Sequence, residues 1–426
     1  MVLRVAVIGA GPAGLCAARF LSAEPERYLP TVYEQTAAVG GTWVYTDRTG
    51  TGEHGLPVHS SMYKNLRTNL PKEAMVFQDF PYDSGLPSYL PHEEVLRYLE
   101  KYAKHFGLHQ YIQVSFELLT VTSFKVTAPD SPSTEQFDAV MVCNGGRYSV
   151  PYIPAVPSID QFQGGTMHSH EYRVPEPFRG RNVIIMGALA SGVDICVELA
   201  QVAEHVVISH SNPPTVEIHN LPANVTQAPR VECIVGPNTV RFQDGQVFNA
   251  DDIVYCTGYS LSLPFLTPEC GITINEGRAY PLYKHVINTT YPTMSFVGLT
   301  HHATSFSLFQ LEVKLALGAL DGSLRLPSKA VMDQEIDKDF KTRVEAGLVP
   351  RQAHDVFPLY LSHITELAKV TRQPDPLGQT SMAIDSFLRL FSDPQHFRNA
   401  EYKVTGQETW EMVPQQTDRQ KQSTAK

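Results

Sequence analysis

The chain has 426 residues, of which 42% are hydrophobic and 18% charged, and a formal net charge of −10. That length suits two or three lobes rather than one small domain, and the acidic balance argues against a nucleic-acid partner, whose phosphates need basic surface. No apolar run approaches the ~18 residues of a membrane span, and the six scattered cysteines contain no CxxC pair, which excludes a dithiol–disulfide redox centre and leaves buried reduced thiols as the expectation.

In chain order, the apolar run 3–8 reads as a buried parallel strand, 13–23 as the helix it feeds and 30–34 as the next strand. A helix is expected over 93–106 and a short apolar strand over 139–143. The segment 149–158, with Pro151, Pro154 and Pro157, reads as a linker. Residues 183–208 repeat the strand–turn–helix–strand pattern, and 251–256 closes that second unit. A strand near 294–298 and an apolar helix over 309–320 should return the chain to the first unit. Helices are expected near 328–345, 357–371 and 381–392, and the polar stretch after 402 is expected to fray. The predicted fold is therefore α/β, with two Rossmann-like dinucleotide-binding domains, the second inserted into the first. The expected boundaries are 1–150 and 294–400 for the first domain, 151–293 for the second, and 401–426 for a polar tail.

The turn Gly9-Ala10-Gly11-Pro12-Ala13-Gly14 follows the first strand. Gly9 allows a tight turn, Gly11 lets backbone approach a pyrophosphate, and Gly14 lets helix pack on strand. The helix N-terminus offers free N–H groups and a positive dipole end to phosphates. Glu34, twenty residues after Gly14, stands where a carboxylate accepts hydrogen bonds from an adenosine ribose. A glutamate there disfavours a 2′-phosphate, so the site suits FAD better than NADPH. Small residues in Gly40-Gly41-Thr42-Trp43 would let the chain run beside a flat cofactor; the competing reading is a glycine turn before a core tryptophan.

A second turn, Gly187-Ala188-Leu189-Ala190-Ser191-Gly192, reads as a second dinucleotide site, with Gly187, Ser191, Gly192 and the following Val193 and Asp194 as its candidate cofactor contacts. Leu189 occupies the place of the glycine that admits a pyrophosphate. Three readings stay open: a nicotinamide site of weakened affinity, a turn that keeps its packing role while binding shifts to neighbours, or a site that no longer supports turnover. The following strand ends at Ser209-His210-Ser211 with no acidic residue to hold a ribose 2′-hydroxyl, which disfavours NADH. No Arg or Lys stands beside them to pair with a 2′-phosphate either; Ser209 and Ser211 are candidate donors to one, with Arg230 a candidate from a later loop.

Between the two turns, Phe162-x-Gly164-x-x-x-His168-x-x-x-Tyr172-Arg173 resembles the identifying pattern of the flavin-containing monooxygenases. Gly40 to Trp43, the run Ser61 to Glu73 and Asp251-x-x-x-x-Cys256-Thr257-Gly258-Tyr259 resemble further elements of that family, with Cys256 in place of an alanine. Tyr172, where the Baeyer–Villiger relatives carry tryptophan, favours the N/S-oxygenating branch. The overall length resembles the soluble insect enzymes, including pyrrolizidine-alkaloid N-oxygenases. The resemblance implies FAD and NADPH as cofactors and O2 as co-substrate. Oxygen then adds at the flavin C4a, and the hydroperoxide so formed meets a small tertiary amine or thioether. The protein positions the nicotinamide and shields the flavin from water. The resemblance also implies that Asn69, flanked by Thr68 and Leu70, lies by the flavin and the retained NADP⁺. An amide donates and accepts there without supplying a labile proton. Phe162, His168 and Tyr172 are expected to hold a domain junction rather than to do chemistry. His301-His302 reads as a loop pair, and no histidine has the company that a metal site needs.

The rival readings are an NADPH oxidase releasing hydrogen peroxide, a Baeyer–Villiger enzyme, and a flavoprotein that binds a partner without turning over. A cytoplasmic location without a membrane partner is expected. Secretion would require a leader removed beforehand, and only then would the sequons at Asn224 and Asn288 matter. Nothing in the sequence excludes a homo-oligomer.

Overall fold

The computed structural model describes residues 1–51, 57–115, 120–121, 125–127, 134–146, 148–211, 217–300, 306–355, 359–406 and 408–413. The chain starts with β1 (Leu3–Ile8), an apolar run buried from Val5 onward, as a parallel strand covered on both faces requires. It turns into α1 (Pro12–Ser22), which opens with proline at its first position, where no N–H is needed. Next come β2 (Tyr28–Tyr33), α2 (His92–His105), β3 (Ile112–Gln113) and β4 (Ala139–Val142). The second unit comprises β5 (Gly165–His168), β6 (Asn182–Met186), α3 (Ala190–Leu199), β7 (His205–Ser209), β8 (Val225–Ala228) and β9 (Asp252–Tyr255).

The chain then adds β10 (Leu282–Tyr283), β11 (Ile287–Asn288) and β12 (Met294–Phe296) to the first sheet. Among the described residues the first sheet runs β10-β11-β12-β4-β1-β2-β3 and the second β8-β7-β6-β9-β5. The return to the first sheet thus begins at Leu282, ahead of the strand expected at 294, because the hairpin β10–β11 caps the sheet edge. The two units share a strand arrangement. β1 and β6 are each flanked by a parallel strand on either side, and a small three-stranded antiparallel lobe (120–136 and 231–249) precedes the closing strand in each. β5, from the segment Phe162 to Arg173, occupies in the second sheet the place that β12 holds in the first.

Among the described residues the α-helices that follow are α4 (Phe306–Asp321), α5 (Lys329–Glu345), α6 (Tyr360–Thr371) and α7 (Leu377–Ser392). α4 packs on α1 and α6, completing the first core. α7 joins the second core beside α3. Tyr63, Leu70 and Ala74, although they lie in the first unit by sequence, are buried in that second core with Met382, Leu390, Phe391 and Phe397.

The tail does not fray where expected. β13 (Glu401–Val404) and β14 (Trp410–Val413) form an antiparallel hairpin. Its anchors are aromatic: the Tyr402 hydroxyl donates to Asp385 at 2.6 Å and the Trp410 indole to Ser381 at 2.8 Å, both on α7. Burying one aromatic side chain is worth about 2 kcal/mol, enough to dock a short ribbon whose other apolar residues, Val404, Met412 and Val413, stay exposed. No helix among the described residues is long and apolar enough to cross a membrane.

Candidate active site

Both glycine-rich turns use the same backbone. Gly9 has φ +105° and Gly187 φ +109°, values that only glycine adopts without strain. A side chain at either would run into the closing strand, 2.7 Å from the Cys143 carbonyl oxygen and 2.4 Å from that of Cys256 respectively. Cys143 and Cys256 are therefore equivalent buried positions, and burial raises both thiols. Neither has the low pKa of a reactive cysteine.

In the first turn, Ala13 and Gly14 are buried, and Gly11 caps α1 with no side-chain partner, which leaves the first-turn N–H groups behind Pro12 unspent. Glu34 is buried at the end of β2. It accepts from the Ala10 amide at 2.8 Å with one oxygen and from the Thr36 amide and hydroxyl with the other. A carboxylate has about four acceptor positions, so room remains for a ribose hydroxyl. Gly41 faces Gly11: a Cβ on Gly41 would sit 2.9 Å from the Gly11 Cα. Beside it the Thr42 hydroxyl is buried with no hydrogen-bond partner among the described residues, and Trp43 packs against the first core. An uncapped helix N-terminus, a cradle that a side chain would fill and an orphaned buried hydroxyl fit a bound dinucleotide.

At the second turn several candidate residues are engaged with the protein itself. Leu189 caps α3 with φ −87° and ψ −172°, nearly the −74° and −173° of Gly11. Leucine therefore does not distort the loop, and its side chain is 50% exposed. Ser191 is exposed in the first turn of α3, while Gly192 is pressed against the turn, a Cβ there falling 2.0 Å from the Gly187 oxygen. Val193, by contrast, is a core residue whose amide closes onto Leu189. Asp194 has both carboxylate oxygens engaged within the protein: Tyr63 donates to one and Arg398 to the other. Ser209 is buried and spends its hydroxyl on the Pro229 carbonyl at 2.8 Å. Ser211 and Arg230 do meet: the guanidinium donates to the serine Oγ at 2.8 and 3.2 Å at the open end of β7.

Asn69 lies on a loop with a fixed backbone. Thr68 spends its hydroxyl on the Leu90 amide, Leu70 is buried, and Ser386 donates to the Asn69 carbonyl at 2.8 Å. The Asn69 side-chain amide makes no hydrogen bond to the described residues.

The segment Phe162 to Arg173 is a junction. His168 accepts the His170 amide at Nδ1 and so donates from Nε2 to the Gly258 carbonyl at 3.0 Å, and burial pushes its pKa down to about 4. Tyr172 donates to Glu198 on α3. Arg173 donates to the carbonyls of Thr46, Arg48, Ser60, His170 and Tyr172, drawing the approach to Asn69 onto the second unit. His301 and His302 lie outside the described residues.

The family model described as flavin-binding monooxygenase-like matches residues 2–221 and 219–424. The chain belongs to that family. It is 38% identical over 375 residues to the flavin-containing monooxygenase FMO GS-OX5 of Arabidopsis thaliana, covering 83% of this chain and 81% of the relative. It is similar in structure to an S-allyl-L-cysteine S-oxygenase from Allium sativum, with TM-score 0.86 and 31% identity over 100% of this chain and 98% of that one. Tmm from Pelagibacter sp. strain HTCC7211 follows at TM-score 0.81 and 26% identity, with 96% of each chain covered. The protein is a flavin monooxygenase that uses FAD and NADPH, so the reading as a flavoprotein without turnover falls.

One group in this flavin monooxygenase escaped the sequence. Glu312 on α4 is buried beside the turn at Gly298, whose amide it accepts at 2.7 Å, and it takes the Thr300 hydroxyl at 2.9 Å. A Cβ on Gly298 would lie 3.4 Å from that of Ala13, so this carboxyl ties to α4 a strand end that lies beside α1. Burial, partly opposed by these two hydrogen bonds, lifts its pKa from 4.5 to about 7. Below both values the group is protonated in either state. Between them only the unfolded chain ionises, so stability falls as pH rises through that window, by about 3 kcal/mol in all. Glu312→Gln cannot titrate, and its stability relative to the parent should climb by that amount from pH 4 to pH 8 (about four decades of proton activity) in denaturant unfolding. A flat difference would exclude the ionisation.

Proposed function

We propose that this enzyme transfers one oxygen atom of O2 to a soft nucleophile, a thioether sulfur in the first place and a tertiary amine nitrogen in the second. The observation that carries the choice of sulfur is the full-length likeness to an S-allyl-L-cysteine S-oxygenase. Bound FAD would supply a ring that takes a hydride from NADPH and reacts with oxygen. This chain's residues would do the rest. Gly9, Gly11, Pro12, Ala13 and Gly14 would lay the first helix N-terminus against the FAD pyrophosphate, with Glu34 on the ribose and Gly41, Thr42 and Trp43 along the cofactor. Gly187, Ser191 and Gly192 would do the same for NADPH, and Arg230 with Ser211 would take the 2′-phosphate that NADH lacks. Asn69 would face the reacting end with its unspent amide. The six unpaired cysteines support a reducing compartment, the cytoplasm.

Leu189 tunes the second site. Its backbone already has the glycine geometry, so only the side chain stands between the turn and a pyrophosphate. Leu189→Gly should lower the KM for NADPH about fivefold at constant kcat, the loss of a uniform steric cost; an equal or higher KM would count against the steric reading.

The reading as a whole is tested by mixing the FAD-loaded protein with NADPH without oxygen, then admitting oxygen with a dialkyl sulfide or a tertiary amine. Bleaching followed by sulfoxide in proportion to NADPH supports it. N-oxide alone would move the assignment to the amine. Hydrogen peroxide with neither product would identify an oxidase, and absence of bleaching would overturn the reading of the second site.

A further inference from the structure

Three consecutive main-chain carbonyls around Asn69 are held from the far end of the chain. Arg398 donates from Nη2 to the Arg67 oxygen at 3.1 Å and from Nε to the Thr68 oxygen at 3.0 Å. Ser386 takes the Asn69 oxygen and is itself held by Tyr89 at 2.8 Å. The third arm of the same guanidinium, Nη1, reaches Asp194 on α3 in a largely buried ion pair. A guanidinium is a rigid planar fork of five donors, so its contacts move together.

Asp194 stands two residues after Gly192 on α3, and a helix rises 1.5 Å per residue. The carboxylate is thus joined rigidly to the helix N-terminus that would meet a nucleotide. Tyr63 donates to its other oxygen. One turn further along the same face, Glu198 accepts from Asn65 at 2.6 Å and from Tyr172 at 2.7 Å. Both acids on this face of α3 therefore grip the strip that leads to Asn69, and Arg398 holds the strip and the helix at once.

We propose that Arg398, through Asp194, is a positioning residue that couples the second nucleotide site to the backbone carrying Asn69, so that filling that site tightens residues 66–69. The inference rests on the reading of α3 as the NADPH helix and of Asn69 as the residue facing the flavin. Its content is distinct from either: a purely structural clamp would hold the strip equally with and without nucleotide, whereas a coupling element makes the hold depend on nucleotide.

The test is amide hydrogen exchange on the FAD-loaded protein with and without NADP⁺. The amides of Leu66 and Thr68 are the reporters, since both are hydrogen-bonded within the protein. In the parent, NADP⁺ should slow their exchange about fivefold or more, the lower end of ordinary coupling between sites. Arg398→Lys keeps the charge and loses the fork; Asp194→Asn keeps the shape and loses the charge. In each, the NADP⁺ effect should shrink below about twofold. NADP⁺ affinity, read from the flavin absorbance change, should fall by the same factor by which protection is lost, because coupling is reciprocal. If Arg398→Lys does not fold, the nearly isosteric Asp194→Asn decides alone. An undiminished NADP⁺ effect in the variants, or NADP⁺ binding to the parent without any effect on these amides, would overturn the coupling while leaving the function intact. A parent that binds no NADP⁺ would overturn the reading of α3 and the coupling with it.

Discussion

Gly14→Ala should leave the protein unable to retain FAD, while Gly192→Ala should retain FAD and bind NADPH poorly. The added methyl at 14 would lie 1.8 Å from the Gly9 oxygen and 2.8 Å from its carbon, and the one at 192 would lie 2.0 and 2.9 Å from the same atoms of Gly187. Backbone atoms on both sides cannot swing aside, so the helix must lift from its turn. Overpacking of this kind costs about 1–3 kcal/mol or more, and here it also displaces the N–H groups meant for phosphate. At least about a tenfold loss of affinity is expected at the altered site, with the other site nearly unaffected because each helix packs in a separate core. Flavin retained through gel filtration and the KM for NADPH read the two effects apart. A reversed pattern would exchange the assignments of the two sites, and loss of FAD from both variants would mean that the second turn is only structural. Gly11→Ala is the control: its φ is −74° and the nearest atom to a new Cβ is 3.5 Å away. The free fold tolerates that methyl, so any loss of FAD there reports the approach of the ligand itself.

The parts legible in the sequence were those fixed by local constraints. A turn at φ +105° or +109° admits only glycine, and a strand covered on both faces must be a continuous apolar run, so the two turns and their strands could be read from a few adjacent residues each. Less legible were the side-chain contacts that depend on a partner far along the chain. Asp194 follows a phosphate-binding turn and carries the right chemistry for a nucleotide contact, but its partner Arg398 is 204 residues away. Ser209 ends its strand where a 2′-phosphate contact is expected, yet the Pro229 carbonyl takes its hydroxyl. The C-terminal hairpin looked like a fraying tail because its polarity outweighs two aromatic anchors, whose docking surface on α7 no local pattern announces. Leu189 looked like a defect because its φ and ψ cannot be read from sequence; with the helix cap drawn as at Gly11, it is an altered surface on an intact turn.

Asn69→Ala should fold, bind FAD and oxidise NADPH as the parent does, yet deliver almost none of the oxygen to substrate. The backbone at this position is set by contacts that the substitution does not touch. Ser386 holds the carbonyl of Asn69 itself, Thr68 is paired with Leu90 through both amide and hydroxyl, and Leu70 is buried in the second core. The side-chain amide makes no hydrogen bond among the described residues. A donor fixed in place before reaction typically contributes about a hundredfold to the step it serves. An amide has the further merit of donating and accepting without offering an acidic proton to reduced oxygen. Removing it should therefore lower product formed per NADPH consumed by about that factor, with the missing equivalents recovered as hydrogen peroxide and the rate of flavin bleaching unchanged. Asn69→Asp separates the two properties, since the carboxylate keeps the shape and accepts but cannot donate; it should leak as much as the alanine variant. Coupling preserved in both variants would remove Asn69 from the chemistry and leave it a turn residue before Pro71. Coupling lost together with FAD would show that the contacts around Asn69 do not hold the loop on their own, and would shift the role of the amide from protecting reduced oxygen to binding the cofactor.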